Sequence, residues 1–131
     1  MTIHQFHVGM ELPELHIEPI SRKTLALFAG ASGDHQPSHI DIDAACAKGR
    51  DDVIAHGMLM MAYLGRLVTD LVPQQRLLSS KSRFVATTPV HSEPICKARI
   101  IAMENGTGTL ELNVVLKDGL TVVRGEAIIR A

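Results

Sequence analysis

The chain has 131 residues, of which 46% are hydrophobic and 21% are charged, and its formal net charge is −1. This length and composition predict a single globular domain over residues 1–131 and exclude a disordered chain. The near-zero net charge and the few aromatic residues (no Trp, one Tyr and three Phe) exclude a nucleic-acid binder and give no attraction to anionic membranes.

Short elements are predicted before the most apolar stretch of the chain. Residues 15–18 alternate between apolar and polar, which predicts a half-buried strand. Ser21 is a good N-cap for a short helix, and that helix is expected to end at Gly30 or Gly33. A second short turn of helix is predicted over residues 43–49, stopped by Gly49.

The longest helix is predicted after His56-Gly57, and Pro73 ends it. Apolar residues occupy nearly its whole circumference, so we expect it to be buried on most faces. Between residues 53 and 72 the apolar run is interrupted by His56, Arg66 and Asp70, which argues against a membrane span. The rest of the chain is therefore expected to wrap this helix.

Everything after Pro73 has the two-residue period of β-strands. The predicted strands cover residues 77–86, 95–103, 109–117 and 120–130. Asn105-Gly106 and Asp118-Gly119 are signals for hairpins between the last three strands. We predict an α+β architecture in which a four-stranded antiparallel meander, with an extra N-terminal strand, curves around the central helix. The free edge of such a sheet predicts pairing into a dimer.

A polar loop before the central helix holds a carboxylate and an imidazole, Asp34 and His39. Pro37 disfavours helical backbone at Gln36, so the loop is expected to bend and both side chains can converge on one water. Such a pair is suited to removing and returning protons near neutral pH. The structural alternative is that Asp34 forms an Asx turn and His39 is a hydrogen-bonded core histidine.

The start of the central helix is a second candidate site. Free N–H groups at a helix N-terminus carry partial positive charge that suits a developing oxyanion. Gly57 would let a ligand carbonyl approach the backbone closely. The alternative is a tight helix entry in which His56 packs or caps the helix.

A metal site is a third possibility, because this region is rich in donor groups. The candidate ligands for zinc or a non-haem metal are His35, His39, Asp41, Asp43 and His56. No pair among them has the spacing of a familiar metal motif, and Asp41 and Asp43 alternate with isoleucines as a solvated strand face would. We therefore predict that the protein holds no metal.

The segment from Phe28 to Leu59 resembles the hydratase-2 motif of the MaoC-like family, which includes the (R)-specific enoyl-CoA hydratases. The residues in register with that motif are Gly33, Asp34, Pro37, His39, Asp41, Ala55, His56, Gly57 and Met58. Residues 7–15 and the C-terminal strands are also similar to the family, so the resemblance covers essentially the whole chain. It implies a hot-dog fold that is usually paired as a homodimer.

The resemblance also implies a reaction. Asp34 and His39 match the catalytic pair that adds water in syn fashion to a trans-2-enoyl thioester, giving an (R)-3-hydroxyacyl thioester. The N–H of Gly57 would meet charge on the thioester oxygen. The residues expected to line the substrate pocket are Gln36, His56, Met58, Met61 and Tyr63. The substrate would be an acyl-CoA or an acyl carrier protein thioester, with no cofactor beyond the coenzyme A of the substrate itself.

Two other function classes remain open from the sequence. Other hot-dog proteins are thioesterases, and a carboxylate near a helix N-terminus would serve hydrolysis too. Gln36 stands where the family usually has Asn. The pair of Asp34 and His39, called the dyad below, could therefore be idle in a protein that only binds acyl thioesters. The two cysteines, Cys46 and Cys96, do not form the disulfide pattern of a secreted protein. No signal-peptide pattern is visible either, so a cytoplasmic location is predicted.

Overall fold

A computed structural model describes residues 5–130, so the ends of the predicted domain, residues 1–4 and 131, lie outside the described residues. The helices in the described part are α1 (Arg22–Ser32), α2 (Ile42–Ala47) and α3 (Gly57–Thr69). The strands are β1 (Leu15–His16), β2 (Leu77–Phe84), β3 (Pro94–Glu104), β4 (Thr107–Leu116) and β5 (Thr121–Arg130). Single 3₁₀ turns occupy Pro37–His39 and Gln74–Arg76.

Helix α1 begins and ends at the residues that the sequence indicated. The Ser21 hydroxyl accepts a hydrogen bond from the Thr24 N–H, which satisfies one of the free donors of the first turn. Gly33 ends the helix in the left-handed conformation, with φ of 75°, and its N–H donates to the Ala29 carbonyl. A glycine adopts this conformation without steric penalty, so the chain turns sharply here and enters the polar loop.

Helix α2 starts earlier than predicted. Asp41 accepts a hydrogen bond from the Ala44 N–H and is the N-cap, so the helix begins at Ile42. The interpretation of Asp41 and Asp43 as a solvated strand face is therefore wrong. An aspartate followed by small residues is an N-terminal helix signal that outweighed the short apolar-polar alternation.

Helix α3 is the buried element at the centre of the domain, with one face open. The fully buried residues include Met60 and Leu64, while Met58 is 54% exposed. Met58, Ala62, Arg66 and Thr69 form the exposed face, so the prediction of burial on most faces holds except along this stripe. The helix ends at Thr69, before the turn that leads to Pro73. Among the described residues no helix combines the length and apolar character that crossing a bilayer requires.

The five strands form one antiparallel sheet in the order β1-β3-β4-β5-β2. The predicted α+β class and the extra N-terminal strand are confirmed, but the four-stranded meander is wrong. Strand β2 pairs with β5, the last strand, and not with β3, its successor in the chain. Only β3, β4 and β5 form a meander, and β2 becomes an edge strand.

Turn chemistry fixes the two hairpins of that meander. Asn105 and Gly106 both have positive φ, 51° and 76°, as a two-residue hairpin turn requires. Gly119 has a φ of 98° between β4 and β5. Both predicted hairpin signals are therefore confirmed.

The inner face of the sheet packs against α3, which contacts β2, β3, β4 and β5. Along β4, buried residues alternate with half-buried ones, and Leu110, Leu112 and Val114 are at most 1% exposed. Register shifts in β2, β3 and β4 interrupt the regular pairing. Because such bulges bend strands and increase their twist, they curve the sheet around the helix.

Gly125 is required for the close approach of β2 to β5, and Gly125→Ala is expected to destabilise the protein. A Cβ at this position would lie 2.6 Å from the Lys81 carbonyl oxygen, so the backbone of the edge strand would have to move. We expect the free energy of unfolding to fall by about 1–3 kcal/mol, measured by urea denaturation.

Gly30→Ala is the matched control for this change. Gly30 lies in α1, where an added methyl group would have nothing within 4 Å, and alanine favours helices, so this variant should be at least as stable as the wild type. Equal losses in the two variants would contradict the steric explanation.

Candidate active site

Asp34 lies directly after the turn that Gly33 makes at the end of α1. Its N–H donates to the Ser32 hydroxyl at 3.2 Å. One carboxylate oxygen, Oδ1, accepts the Gln36 N–H at 3.2 Å, so the Asx turn considered from the sequence is present. The side chain is exposed and its second oxygen has no hydrogen bond with any described residue. Asp34 therefore shapes the loop and still offers a free carboxylate oxygen.

Gln36 caps the 3₁₀ turn on which His39 lies. Its Oε1 accepts the Ser38 N–H at 2.8 Å, and its backbone carbonyl accepts the His39 N–H at 3.0 Å. Pro37 follows at the first position of the turn, where its missing N–H costs nothing. The amide of Gln36 is thus used within the loop, and the longer side chain still reaches the capping position that Asn commonly fills.

Gln36→Asn is expected to keep kcat for the hydration that the family resemblance implies within about threefold of the wild type, because Asn is also a good cap. Gln36→Ala removes the cap and should lower the free energy of unfolding by about 1 kcal/mol. Urea denaturation and a hydration assay on the same protein samples measure both effects. A large gain in rate in Gln36→Asn would show instead that Gln36 holds the dyad in a poor geometry.

His39 is oriented by a clamp of two hydrogen bonds to Ile54. The Nδ1–H of His39 donates to the Ile54 carbonyl at 2.7 Å, and the Ile54 N–H donates to the Ser38 carbonyl at 3.0 Å. Because Nδ1 faces a carbonyl, which only accepts, the proton of the neutral ring is on Nδ1. The Nε2 atom of His39 is therefore an acceptor.

The segment that provides this clamp is itself fixed by a second segment. The Ala55 N–H donates to the Thr88 carbonyl at 2.8 Å, and the Val90 N–H donates to the Val53 carbonyl at 3.3 Å. Thr88 is only 4% exposed. The entrance to α3 is thus paired with the chain that follows β2, which gives the Ile54 carbonyl a defined position.

His56 lies behind the dyad and contacts both of its members. It is 1% exposed, and its Nε2–H donates to the Asp34 carbonyl oxygen at 3.1 Å. Its ring stacks on that of His39 with centroids 4.0 Å apart and an angle of 21° between planes. Phe28 meets the ring edge-on at 4.8 Å, and Nδ1 is buried with no hydrogen-bond partner among the described residues. Of the alternative considered from the sequence, the packing of His56 is present, and the helix cap is not, because this side chain makes no capping bond.

Burial lowers the pKa of His56 below its ordinary value of 6.5, and the neighbouring His39 adds to this effect, while the hydrogen bond to Asp34 opposes it. The unfolded chain therefore binds this proton more readily than the folded one. The free energy of unfolding is expected to fall as the pH drops below 6.5, and His56→Gln should remove this part of the fall. Urea denaturation of the wild type and of His56→Gln at pH values above and below 6.5 measures this fall. The same dependence of the free energy of unfolding on pH in both proteins would contradict the prediction.

The first turn of α3 faces the dyad with free N–H groups. No side chain caps this end, so the N–H of Gly57 is available to an oxygen of a ligand. A Cβ on Gly57 would come within 3.2 Å of the Phe84 ring, so a larger residue would crowd this point. A backbone donor with positive partial charge is therefore open to the space beside the dyad.

A cavity of about 200 Å³ lies between the dyad and the sheet. Its lining residues are His39, Ile54, Ala55, Gly57, Met60, Phe84, Ala86, Thr87, Thr88 and Val123. Three larger depressions contain neither Asp34 nor His39: two, of about 460 and 340 Å³, share Lys97 and Glu111, and the third, of about 270 Å³, lies around His16 and Lys117. The cavity that the dyad can serve is therefore the smaller one under the sheet.

Of the predicted catalytic and thioester-binding residues, His39 and Gly57 line this cavity and Asp34 does not, and none of the five predicted pocket residues lines it. Met58 lies on the exposed face of α3, and Met61, Tyr63, Gln36 and His56 are also absent from the lining. Met60, which is 1% exposed, takes the place expected of Met58 and Met61. Phe84 and Thr88 also line the cavity and were not singled out from the sequence.

The only cluster of three metal-binding side chains among the described residues is the dyad itself with His56. One ligand atom from each of Asp34, His39 and His56 lies within 4.8 Å of the others. One nitrogen of each ring already donates to a backbone carbonyl, and the two rings are stacked and not converging. The prediction of no metal stays a prediction.

Comparisons with known proteins agree on the family and the fold. Residues 7–122 match the family model of the MaoC-like domain. Over 102 residues the chain is 32% identical to 3-hydroxyacyl-thioester dehydratase Z of Mycobacterium tuberculosis, covering 72% of this chain and 68% of that protein. The structure of the R-hydratase PhaJ1 from Pseudomonas aeruginosa superposes with a TM-score of 0.88 and 27% identity, covering 98% of this chain and 83% of that one. The (R)-hydratase from A. caviae has the same fold, with a TM-score of 0.87 and 24% identity over 96% and 97% of the two chains. The predicted hot-dog fold is confirmed.

Proposed function

This chain belongs to the family of MaoC-like dehydratase domains, and from that premise we propose that it interconverts trans-2-enoyl and (R)-3-hydroxyacyl thioesters of coenzyme A. One observation supports this above the rest. Asp34, which has a free carboxylate oxygen, and His39, whose Nε2 is an acceptor, have side-chain atoms within 4.8 Å of each other, and His39 lines the cavity together with Gly57 at the open end of α3. Hydration needs a place for one water, a base, and a donor for an enolate oxygen, and these groups provide all three.

The dyad is proposed to hold the attacking water. Side-chain atoms of Asp34 and His39 lie within 4.8 Å of each other, a span that one water bridges with two hydrogen bonds of ordinary length. Both groups are acceptors, because Nδ1 of His39 is the protonated nitrogen. The water therefore donates one hydrogen bond to Asp34 and one to His39, and it turns a lone pair toward C3 of the substrate.

The chemical step follows from that arrangement. The water oxygen forms a bond to C3 while Asp34 takes one water proton, and the π electrons of the C2–C3 bond move onto the thioester oxygen. The enolate then re-forms its carbonyl as C2 takes the proton from Asp34. One carboxyl group removes and returns the proton on one face, so the addition is syn; dehydration is the same path reversed.

Charge on the thioester oxygen is proposed to be met by the N–H of Gly57. This group stands at the uncapped N-terminus of a helix of 13 residues, where the helix dipole favours negative charge. The donor is part of the backbone and needs no reorganisation as charge develops. No cofactor is needed for any of these steps.

The size of the cavity favours a short acyl chain. Its volume of about 200 Å³ is below the roughly 300–1,000 Å³ of sites that hold drug-sized ligands. Ile54, Met60 and Val123 give it apolar walls, and none of its lining residues is a lysine or an arginine that would pair with an anionic acyl tail. We propose crotonyl-CoA or an enoyl chain of similar length as the substrate, with the coenzyme outside the cavity.

The protein is proposed to act as a homodimer through the free edge of β2. The outer side of this strand pairs with no described strand. It also presents apolar side chains, since Leu78 and Phe84 are 44% and 50% exposed and Val85, just beyond, is 43% exposed. An apolar edge strand is a surface that proteins cover, and a second copy of the chain would cover it. Native mass spectrometry distinguishes the dimer from the monomer.

The test of the function is a crotonyl-CoA assay with three readouts. Loss of the enoyl-thioester ultraviolet absorbance reports hydration, an enantiomer-specific dehydrogenase reports the product configuration, and a thiol reagent reports hydrolysis. The proposal requires absorbance loss, the (R) product and no free thiol. Release of free coenzyme A would indicate a thioesterase, and binding without any reaction of short or longer enoyl-CoAs would indicate an idle binding protein.

A further inference from the structure

The proposed reaction makes no use of the most deeply buried titratable side chain at the site, His56. It is 1% exposed and does not line the cavity, so it has no route to a bound substrate. It nevertheless contacts both members of the dyad, which are five residues apart on a loop that α3 itself does not include. A buried polar ring that contacts both residues of the dyad but not the cavity is expected to have a structural role at the site.

Its hydrogen bond ties the Asp34 loop to the core. The other hydrogen bonds of Asp34 go to Ser32 and Gln36, within its own loop. Among the described residues, only the bond from His56 Nε2–H to the Asp34 carbonyl joins this residue to a distant part of the chain, 22 residues away. Without it, the exposed carboxylate would rest on local turn geometry alone.

Its ring face fixes the second member of the dyad. His39 is held by one hydrogen bond from Nδ1 to Ile54, and a ring held at a single atom can still swing about that bond. The stacked ring of His56, with an interplanar angle of 21°, blocks that motion on one side. Phe28 meets His56 edge-on and keeps it in place.

The unpaired Nδ1 of His56 indicates that this arrangement is kept at a cost in stability. A buried acceptor without a partner is unfavourable, and an apolar ring of similar shape would avoid it. An apolar ring could not donate to the Asp34 carbonyl, however. The histidine therefore supplies a hydrogen bond to the Asp34 loop at the cost of an unpaired acceptor in the core.

We infer that His56 is a positioning residue that sets both halves of the dyad, Asp34 through a hydrogen bond and His39 through ring stacking, while touching no reacting atom. The inference rests on the proposed function, since it assigns a role within that reaction. This positioning role replaces the substrate-binding role that the sequence suggested for His56.

Two substitutions separate the two contacts. His56→Phe keeps a ring against His39 and removes the donor, whereas His56→Gln keeps an N–H that can reach the Asp34 carbonyl and removes the ring. Val68→Ala, in the last turn of α3 at a position 1% exposed, is the control for lost stability without a contact to the dyad.

We expect His56→Phe to lower kcat for crotonyl-CoA by about 10- to 100-fold, because small displacements of reacting groups have effects of this size. KM should stay within about threefold, and His56→Gln should recover about tenfold of the lost kcat. Val68→Ala should keep its kcat at temperatures where it is folded. The inference is overturned if His56→Phe retains kcat, if Val68→Ala loses as much, or if His56→Gln recovers nothing.

A measurement without substrate distinguishes failure of this inference from failure of the proposed function. Nitrogen-15 NMR of the imidazole rings should show His56 protonated at Nε2 and His39 at Nδ1 in the wild type, and His39 should lose its single tautomer in His56→Gln, which removes the stacked ring. If these spectra appear while the wild type hydrates no enoyl-CoA, the proposed function fails and the positioning stands. If the wild type is active but the His39 spectrum is unchanged in His56→Gln, the inference fails alone.

Discussion

Asp34→Asn is expected to lower kcat for crotonyl-CoA hydration by about 10³-fold, near the middle of the range for loss of a general acid–base group. The amide cannot take a proton from water at neutral pH, and among the described residues Asp34 is the only carboxylate in the cluster with His39 and His56. The fold should be unaffected, because an Asn oxygen can still accept the Gln36 N–H and preserve the turn. Thermal unfolding and the absorbance assay on one sample measure both effects.

Asp41→Asn is the matched control for Asp34→Asn. It makes the same chemical change seven residues further along the motif, at the N-cap of α2, where Asn caps as well as Asp. This control should keep wild-type kcat and stability. If Asp34→Asn stays within tenfold of the wild type, or if Asp41→Asn loses as much, the assignment of Asp34 as the base is wrong.

His39→Asn is expected to lower kcat by about 10²-fold without a matching loss of stability. The side-chain N–H₂ of Asn can take the place of Nδ1–H and donate to the Ile54 carbonyl, so the loop remains clamped. It offers no acceptor where His39 Nε2 would hold the water. The substitution thereby removes the chemical role of His39 and leaves its structural one.

His39→Ala is the companion variant, because it removes both roles. It should lose as much activity as His39→Asn and should also unfold at a lower urea concentration, since the Ile54 carbonyl loses its donor. A fully active His39→Asn would contradict the water-holding role and favour the alternative in which His39 is only a hydrogen-bonded core histidine.

Local signals in the sequence predicted most of the fold. The Ser21 cap, the Gly33 stop and the two hairpin turns are each specified by a few neighbouring residues, and each is found where expected. The sheet order is a different kind of information. Strand β2 could pair with β3 or with β5 on periodicity alone, and the pairing with β5 depends on tertiary contacts such as those of β2 with α3.

The cavity could not be derived from the sequence for a related reason. Helix α3 is apolar nearly all round, and its one polar stripe, through Arg66 and Asp70, reaches back to Met58, so it indicates the open face but not which buried residue lines the cavity. Met58 lies on the open face and Met60 at the cavity. The contacts of His56 are likewise non-local, because they join residues 17 and 22 positions apart in the chain.

The sharpest test of the shared water is a double-mutant cycle between Asp34 and His39, with kcat for crotonyl-CoA hydration as the readout. If both side chains hold one water, removing either one already disables it, and effects of groups that act as a unit do not add. We expect Asp34→Asn/His39→Asn to lie within about threefold of Asp34→Asn alone. Independent losses that multiply to about 10⁵-fold would show that the two residues act on separate steps, and would contradict the account.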